Sequence, residues 1–278
     1  MLDQLFWRWL PKKRMSNWVG AFAKHPISRH LIPRYIKMFD IDVKPIKKPL
    51  DQFDSLLDFF IRELQPEARP IDRSENVIVS PVDGTVSQIG MIEEGKLLQA
   101  KGVTYSLEQL LGDQKKYVDM FIGGKFVTIY LSPRDYHRIH MPVAGEIEEL
   151  TYIPGELYPV NRVGVEKVPG LFAINERVIS YIHSAFGHVA LVKVGATNVG
   201  SIKVVFDNEL ITNPRPAKPT LHKTYSNIHL DKGAEMGRFE FGSTVILLFE
   251  PNQIEWTIEP VPGTVVRMGE SLARVVRD

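Results

Sequence analysis

From residue 66 onward the chain alternates short apolar, β-branched runs with Gly, Pro, Asn and Asp. Val77 to Ser80, Gly84 to Ile89, Phe126 to Leu131, Gly145 to Tyr152 and Val178 to His183 each have the length and composition of a strand. So do His188 to Val194, Ser201 to Phe206, Thr244 to Phe249, Ile254 to Ile258 and Thr264 to Arg267. Helical spacing is confined to Phe53 to Leu64 (FDSLLDFFIREL) and Ser106 to Leu111. The pattern predicts an α+β fold, with residues 1–65 a helical region and residues 66–278 a β-rich, mainly antiparallel domain, barrel- or sandwich-like. PVDGTV at 81–86, PVAGEI at 142–147 and VPGTVV at 261–266 repeat a Pro and a Gly at sharp entries into strands. The last copy also looks like the end of a biotinyl or lipoyl carrier, but no lysine stands on a hairpin tip as such carriers need.

Charge changes the picture at the front of the chain. Residues 1–50 hold 11 Lys/Arg and 3 Asp/Glu, a net +8 against +1 for all 278 residues, so the remainder carries −7. Phe6, Trp7, Trp9 and Trp18 stand there among Lys12, Lys13, Arg14 and Lys24. That mixture suits a helix lying in an anionic membrane surface. It equally suits a basic helical hairpin packing its aromatics on the protein body, and both readings stay open. No stretch reaches the roughly 18 uncharged apolar residues of a spanning helix. Nothing resembling a nucleic-acid-binding motif accompanies the basic segment.

Without cysteine, disulfides, thiolate zinc sites, iron–sulfur clusters and thiol nucleophiles are excluded, so chemistry falls to Ser, His, Asp, Glu, Lys or a cofactor. The stretch MGRFEFGSTVILLFE, 236–250, enters an apolar run through Gly242, Ser243 and Thr244. Gly242 leaves its carbonyl open to attack and permits strained dihedrals, and Ser243 supplies the nearest hydroxyl. With a base at hand Ser243 can convert the preceding peptide bond to an ester. A plain turn into a core strand is the alternative. Asp83, before a Gly, reads as a turn former by itself. His137 and His140, three apart in YLSPRDYHRIHMPVAG, suit general acid and base roles better than a metal, since no third ligand or HExxH accompanies them. If that segment is extended, the two rings point to opposite faces; a bend between Pro133 and Pro142 would bring His140 to Ser243 and Asp83 and turn His137 to the substrate.

PVDG at 81–84, YHRIHMP at 136–142, NERV at 175–178, VGATNVGSI at 194–202 and MGRFEFGST at 236–244, preceded by FFIRELQPEARPI at 59–71, closely resemble the phosphatidylserine decarboxylases of the bacterial membrane-bound type. The resemblance covers essentially the whole chain, with Phe241 where the family commonly has Leu. It implies a proenzyme that cuts itself between Gly242 and Ser243 into a β chain, 1–242, and an α chain, 243–278. It further implies that Asp83, His140 and Ser243 form the self-cleavage triad and that Ser243 becomes a covalent pyruvoyl group, the cofactor and electrophile for the substrate amine. His137 is the implied proton donor in decarboxylation, and no metal is implied. The implied substrate is phosphatidylserine at an anionic membrane surface, with the enzyme peripheral on the cytoplasmic face of the cell membrane. A tight α/β pair, and a homodimer of such pairs, complete the implied partners; nucleic acid is not among them. A serine hydrolase built on the same three residues is the rival enzyme, but the Gly-x-Ser-x-Gly elbow is missing. A carrier or membrane-binding module is the rival outside enzymes.

Overall fold

The computed structural model describes residues 20–197, 201–214 and 219–276. Phe6, Trp7, Trp9, Trp18, Lys12, Lys13 and Arg14 lie outside the described residues. Residues 20–24 are helical, and a 3-10 turn, Pro26–Leu31, leads into α1 (Ile32–Phe39). The remaining helices are short: α2 (Leu56–Phe60), α3 (Leu107–Leu111), α4 (Lys115–Phe121), α5 (Arg162–Lys167) and α6 (Leu171–Ile174). Helix α2 is the predicted Phe53 to Leu64 element cut down at both ends. Ser55 caps its start by accepting the Asp58 N–H at 3.1 Å. Its end is fixed because Glu63 and Leu64 are needed elsewhere, accepting from the Lys47 N–H and bridging to Ile46.

Strands β1 (Val77–Val79), β2 (Gly84–Met91), β3 (Lys96–Ala100), β4 (Val103–Ser106), β5 (Lys125–Leu131) and β6 (Arg138–His140) come first. They are followed by β7 (Gly145–Ile153), β8 (Arg177–Ser184), β9 (Gly187–Gly195), β10 (Ser201–Val204), β11 (Leu221–Thr224) and β12 (His229–Leu230). The chain ends in β13 (Glu235–Glu240), β14 (Ser243–Phe249), β15 (Ile254–Trp256), β16 (Val265–Val266) and β17 (Ser271–Val275). A nine-stranded sheet runs β11-β7-β8-β9-β14-β5-β2-β16, with β12 also on β7. Two three-stranded sheets, β10-β13-β6 and β1-β17-β15, accompany it. Every ladder between these strands is antiparallel.

The α+β, mainly antiparallel character expected is found, but of the barrel- or sandwich-like alternatives a closed barrel does not form among the described residues. The large sheet is open, ending at β11 and at the two-residue β16, because its faces are closed from outside instead. Val245, Leu247 and Phe249 of β14 face a core shared with Ile139, Ile202, Phe239 and Leu272 of the small sheets. Ile246 and Leu248 face a second core with Leu110, Tyr117, Val165 and Phe172 of the helices. The period of two thus buries β14 on both sides, which is why its sequence is an unbroken apolar run. The repeated Pro-Gly entries are strand starts: Gly84 opens β2, Gly145 opens β7, and the third copy ends in β16 paired to Gly84 and Thr85. A Cβ at Gly145 would lie 2.4 Å from the His183 carbonyl oxygen, so only glycine fits. No helix among the described residues is long and apolar enough to cross a membrane.

Candidate active site at the start of the central strand

Ser243 opens β14 with Leu131 of β5 on one side and Gly195 of β9 on the other. Alternation along the strand turns it, like Val245, to the small-sheet face. Its side chain is fully buried and its hydroxyl has no hydrogen-bond partner. The two residues before it are both left-handed, Phe241 at φ 81° and Gly242 at φ 44°. For a bulky residue such as Phe241 this conformation is strained, and it persists because the ring is held in place. That ring packs on Phe60 of α2 (centroids 4.5 Å apart), and Phe60 packs on the imidazole of His137 at 4.0 Å. Ala23 and Leu57 complete the cluster, so the helical front end forms one wall of the joint.

His137 immediately precedes β6 and is fully buried. It lies two residues from Ile139 and shares that residue's inward face, whereas His140 shares the outward face of Arg138. The His137 Nδ1–H donates to the Asp135 carbonyl at 2.8 Å, leaving Nε2 as an unpartnered lone pair. Burial, with the Arg62 guanidinium second, pushes this imidazole down to about 3, so it is neutral and holds its Nε2 lone pair free. Arg62 is itself buried, donating to the carbonyls of Arg134 (2.7 Å) and Asp135 (3.0 Å), with Nε and Nη1 unpartnered.

His140 has both ring nitrogens engaged. Nδ1–H donates to the Gly233 carbonyl at 2.8 Å and Nε2 accepts from the Tyr136 hydroxyl at 3.1 Å. Burial lowers its pKa, partly offset by that carbonyl and by the charges of Glu235 and Asp83. Asp83 is near because the two segments are laced together, His140 N–H donating to the Pro81 carbonyl at 2.8 Å and Val79 N–H to that of Pro142 at 3.0 Å. Its carboxylate receives a fork from Arg69, with Nε at 2.8 and 3.0 Å and Nη2 at 2.5 Å, and the Met268 N–H at 2.9 Å. The structure therefore brings Asp83 and His140 into one electrostatic neighbourhood, and sets His137 against the ring stack leading to Ser243. No hydrogen bond joins Asp83 to His140, or either to Ser243, among the described residues. The chain bends beside Pro133, in the Ser132–Asp135 turn, where Asp135 accepts from the Ser132 N–H and hydroxyl at 2.7 Å each, and His137 follows it fully buried.

A cavity of about 1050 Å³ opens beside Gly242, walled mainly by apolar groups including Tyr130, Leu131, Pro133, Tyr158, Val160 and Val163. Beyond the 132–137 loop, a polar cavity of about 590 Å³ is lined by Arg62, Arg69, Asp83, Arg134, Asp135 and Tyr136. Phe60, Arg62 and Arg69 were not singled out from sequence. Their only sign was their place in FFIRELQPEARPI, whose partners are distant along the chain.

The family model for phosphatidylserine decarboxylase matches residues 56–274. The chain belongs to the phosphatidylserine decarboxylase family. Its curated relatives include a phosphatidylserine decarboxylase proenzyme of Brevibacillus brevis, 50% identical over 265 residues that cover 95% of this chain and 94% of that one. Proteins of the same name from Myxococcus xanthus (42% identity; 98% and 99% covered) and Bordetella pertussis (44%; 94% and 89%) are similar along nearly their whole length. The family match starts at Leu56, so the decarboxylase segment takes in α2, with Phe60 and Arg62, as well as the β-rich part.

Proposed function

We propose that this protein is a self-processing decarboxylase that converts phosphatidylserine to phosphatidylethanolamine and carbon dioxide. The observation that carries the self-processing half is the joint itself: a buried, unpartnered Ser243 hydroxyl behind two left-handed residues, at the edge of a cavity. In the proposed cleavage Ser243 Oγ attacks the Gly242 carbonyl, its proton passes through an imidazole to the departing amine, and the amide becomes an ester; loss of the α-proton of residue 243 then eliminates the Gly242 carboxylate, which keeps Oγ, and water displaces the nitrogen of residue 243 as ammonia, leaving chains 1–242 and 243–278. Residue 243 then suits a pyruvoyl group, because it is buried away from bulk water while Gly242 beside it lines a cavity through which a substrate can approach. Such a group supplies a carbonyl that draws electrons from the bond to the departing carboxylate of an amine-bearing substrate.

The triad reading assigns the proton to His140, with Asp83 charging it. The proximity of Asp83 supports it; reaching Ser243 requires His140 to leave the Gly233 carbonyl and the Tyr136 hydroxyl. A second reading is favoured by the alternation of β6 and β14, which turns the free Nε2 of His137 and the free Oγ of Ser243 to the same core. On it, His137 is the base in cleavage as well as a proton carrier in decarboxylation. The apolar cavity beside Gly242 suits the lipid, and the basic, aromatic composition of the first 50 residues suits peripheral attachment to an anionic leaflet.

Mass spectrometry under denaturing conditions tests the cut. Active protein is expected as two fragments, the smaller with a blocked amino terminus, and an intact chain that evolves carbon dioxide from phosphatidylserine would overturn the proposal. The same measurement separates the histidines. On the triad reading Ser243→Ala, His140→Ala and Asp83→Ala stay single chains, while His137→Ala is cut but turns over at least 100-fold more slowly. An uncut His137→Ala beside a cut His140→Ala selects the second reading.

A further inference from the structure

We propose that Glu148, His183 and His188 form a binding site for a divalent transition-metal ion of the zinc class. They sit on three adjacent strands, β7, β8 and β9, where His183 and His188 are direct partners in the ladder. A register shift between Ile147 and Glu149 is the local irregularity that accommodates Glu148. The imidazoles lie parallel, centroids 4.7 Å apart at 14°. One ligand atom from each residue falls within 4.8 Å of the others. Glu148 Oε1 is 3.3 Å from His183 Nδ1, and Oε2 is 3.4 Å from His188 Nε2. Zinc binds such atoms at about 2.0–2.1 Å in a tetrahedron, whose edge is then about 3.3–3.4 Å. Each separation is close to that edge, one from each carboxylate oxygen, so closing the set on one ion takes a turn of the Glu148 carboxylate and a small approach of ligand atoms that already lie within 4.8 Å.

A second feature orients the set. His188 Nδ1 lies 3.0 Å from Glu250 Oε1, which also accepts the His188 N–H at 2.6 Å. Donation through Nδ1 leaves the Nε2 lone pair directed at Glu148, the carboxylate–histidine–metal arrangement that fixes tautomer and ring angle. Two imidazoles and one carboxylate select zinc-like ions over magnesium or calcium, which prefer all-oxygen sites. His183 is 52% exposed at its side chain and Glu148 33%, so an ion can enter and water can fill a fourth position. Glu250 follows Phe249, seven residues along β14 from Ser243, or about 23 Å at about 3.3 Å per residue. The ion is therefore remote from the reaction centre. On the cleavage reading it also links the fragments, since Glu250 lies in the smaller one and its three ligands in the larger; binding of the ion does not depend on that reading.

The test uses untagged, chelator-treated full-length protein titrated with zinc alone, with bound metal counted by elemental analysis. One zinc per chain is expected, with the His183→Ala/His188→Ala double variant binding at least 100-fold more weakly and Glu250→Gln about 10–100-fold more weakly. His183→Ala alone, at a half-exposed position, guards against misfolding and should show the same loss with an unchanged circular dichroism spectrum. Wild type that binds no zinc, or a double variant that binds it as well as wild type, would overturn the site and leave only an ion-pair network.

Discussion

Lys193 shows how much one side chain can cost this fold. It is fully buried on β9, its ammonium donating to Ser180 Oγ at 2.8 Å, and burial pushes it down to about 7. Cross-strand pairing sets it against Val245, two residues along from the Gly195–Ser243 pair. Unfolded, a lysine holds its proton up to its ordinary value of 10.5, so between about 7 and 10.5 the unfolded chain binds more protons than the folded one. Stability contributed by this group therefore rises with pH across that window and is lowest at and below pH 7. At about 1.4 kcal/mol per pH unit the whole effect is on the order of 3–5 kcal/mol. Lys193→Met is expected to be more stable than wild type at pH 7 and to lose most of that advantage by pH 10, as read from paired denaturant titrations. An advantage independent of pH would show that the lysine is charged in the folded protein.

Helix α2 is the element that joins stability to chemistry. Phe60→Ala and Phe53→Ala each empty a buried aromatic site and should each cost about 3–5 kcal/mol. Only Phe60 lies between His137 and Phe241, so only Phe60→Ala should slow appearance of the two fragments by tenfold or more at a temperature where both variants are folded. Equal slowing in both would mean that cleavage follows global stability alone. The strands of the large sheet were legible because burial on both faces, as in Thr244 to Phe249 and Val178 to His183, leaves continuous β-branched runs. Strand β13 was not, because Glu235–Glu240 carries Gly237, Arg238 and Glu240, and the partners of Glu240, Ser201 and Lys24, come from far along the chain. The β3–β4 hairpin and α4 to α6 were missed for a related reason: they are short and acquire their apolar side only by covering the sheet. The candidate site was legible as a set of residue types, Asp83, His137, His140 and Ser243, whose roles remain those proposed above. Their partners Arg69, Tyr136 and the Gly233 carbonyl were not, since nothing local selects them.

Across the whole molecule the front end now divides in two. Residues from Ala23 onward pack on the body through Leu57, Phe60 and Phe241, whereas the tryptophans at 7, 9 and 18 lie before that contact in sequence. Removal of residues 1–19 should therefore spare self-cleavage and weaken sedimentation with phosphatidylglycerol vesicles by at least tenfold, whereas removal of 1–40 should also impair cleavage. Full vesicle binding by the shorter truncation would place attachment elsewhere. The link between β13 and β14 has a different kind of consequence. Only Phe241 and Gly242 carry the chain from the three-stranded sheet to the nine-stranded one, so the Gly242–Ser243 bond sits in a short tether between them. On the proposed cleavage, the two ends are held at very high effective concentration while that bond is whole, and a cut frees each to take the backbone angles its own sheet prefers, so that concentration falls. Severing the tether would then work as a ratchet, with the back-reaction failing for want of proximity rather than for want of chemistry.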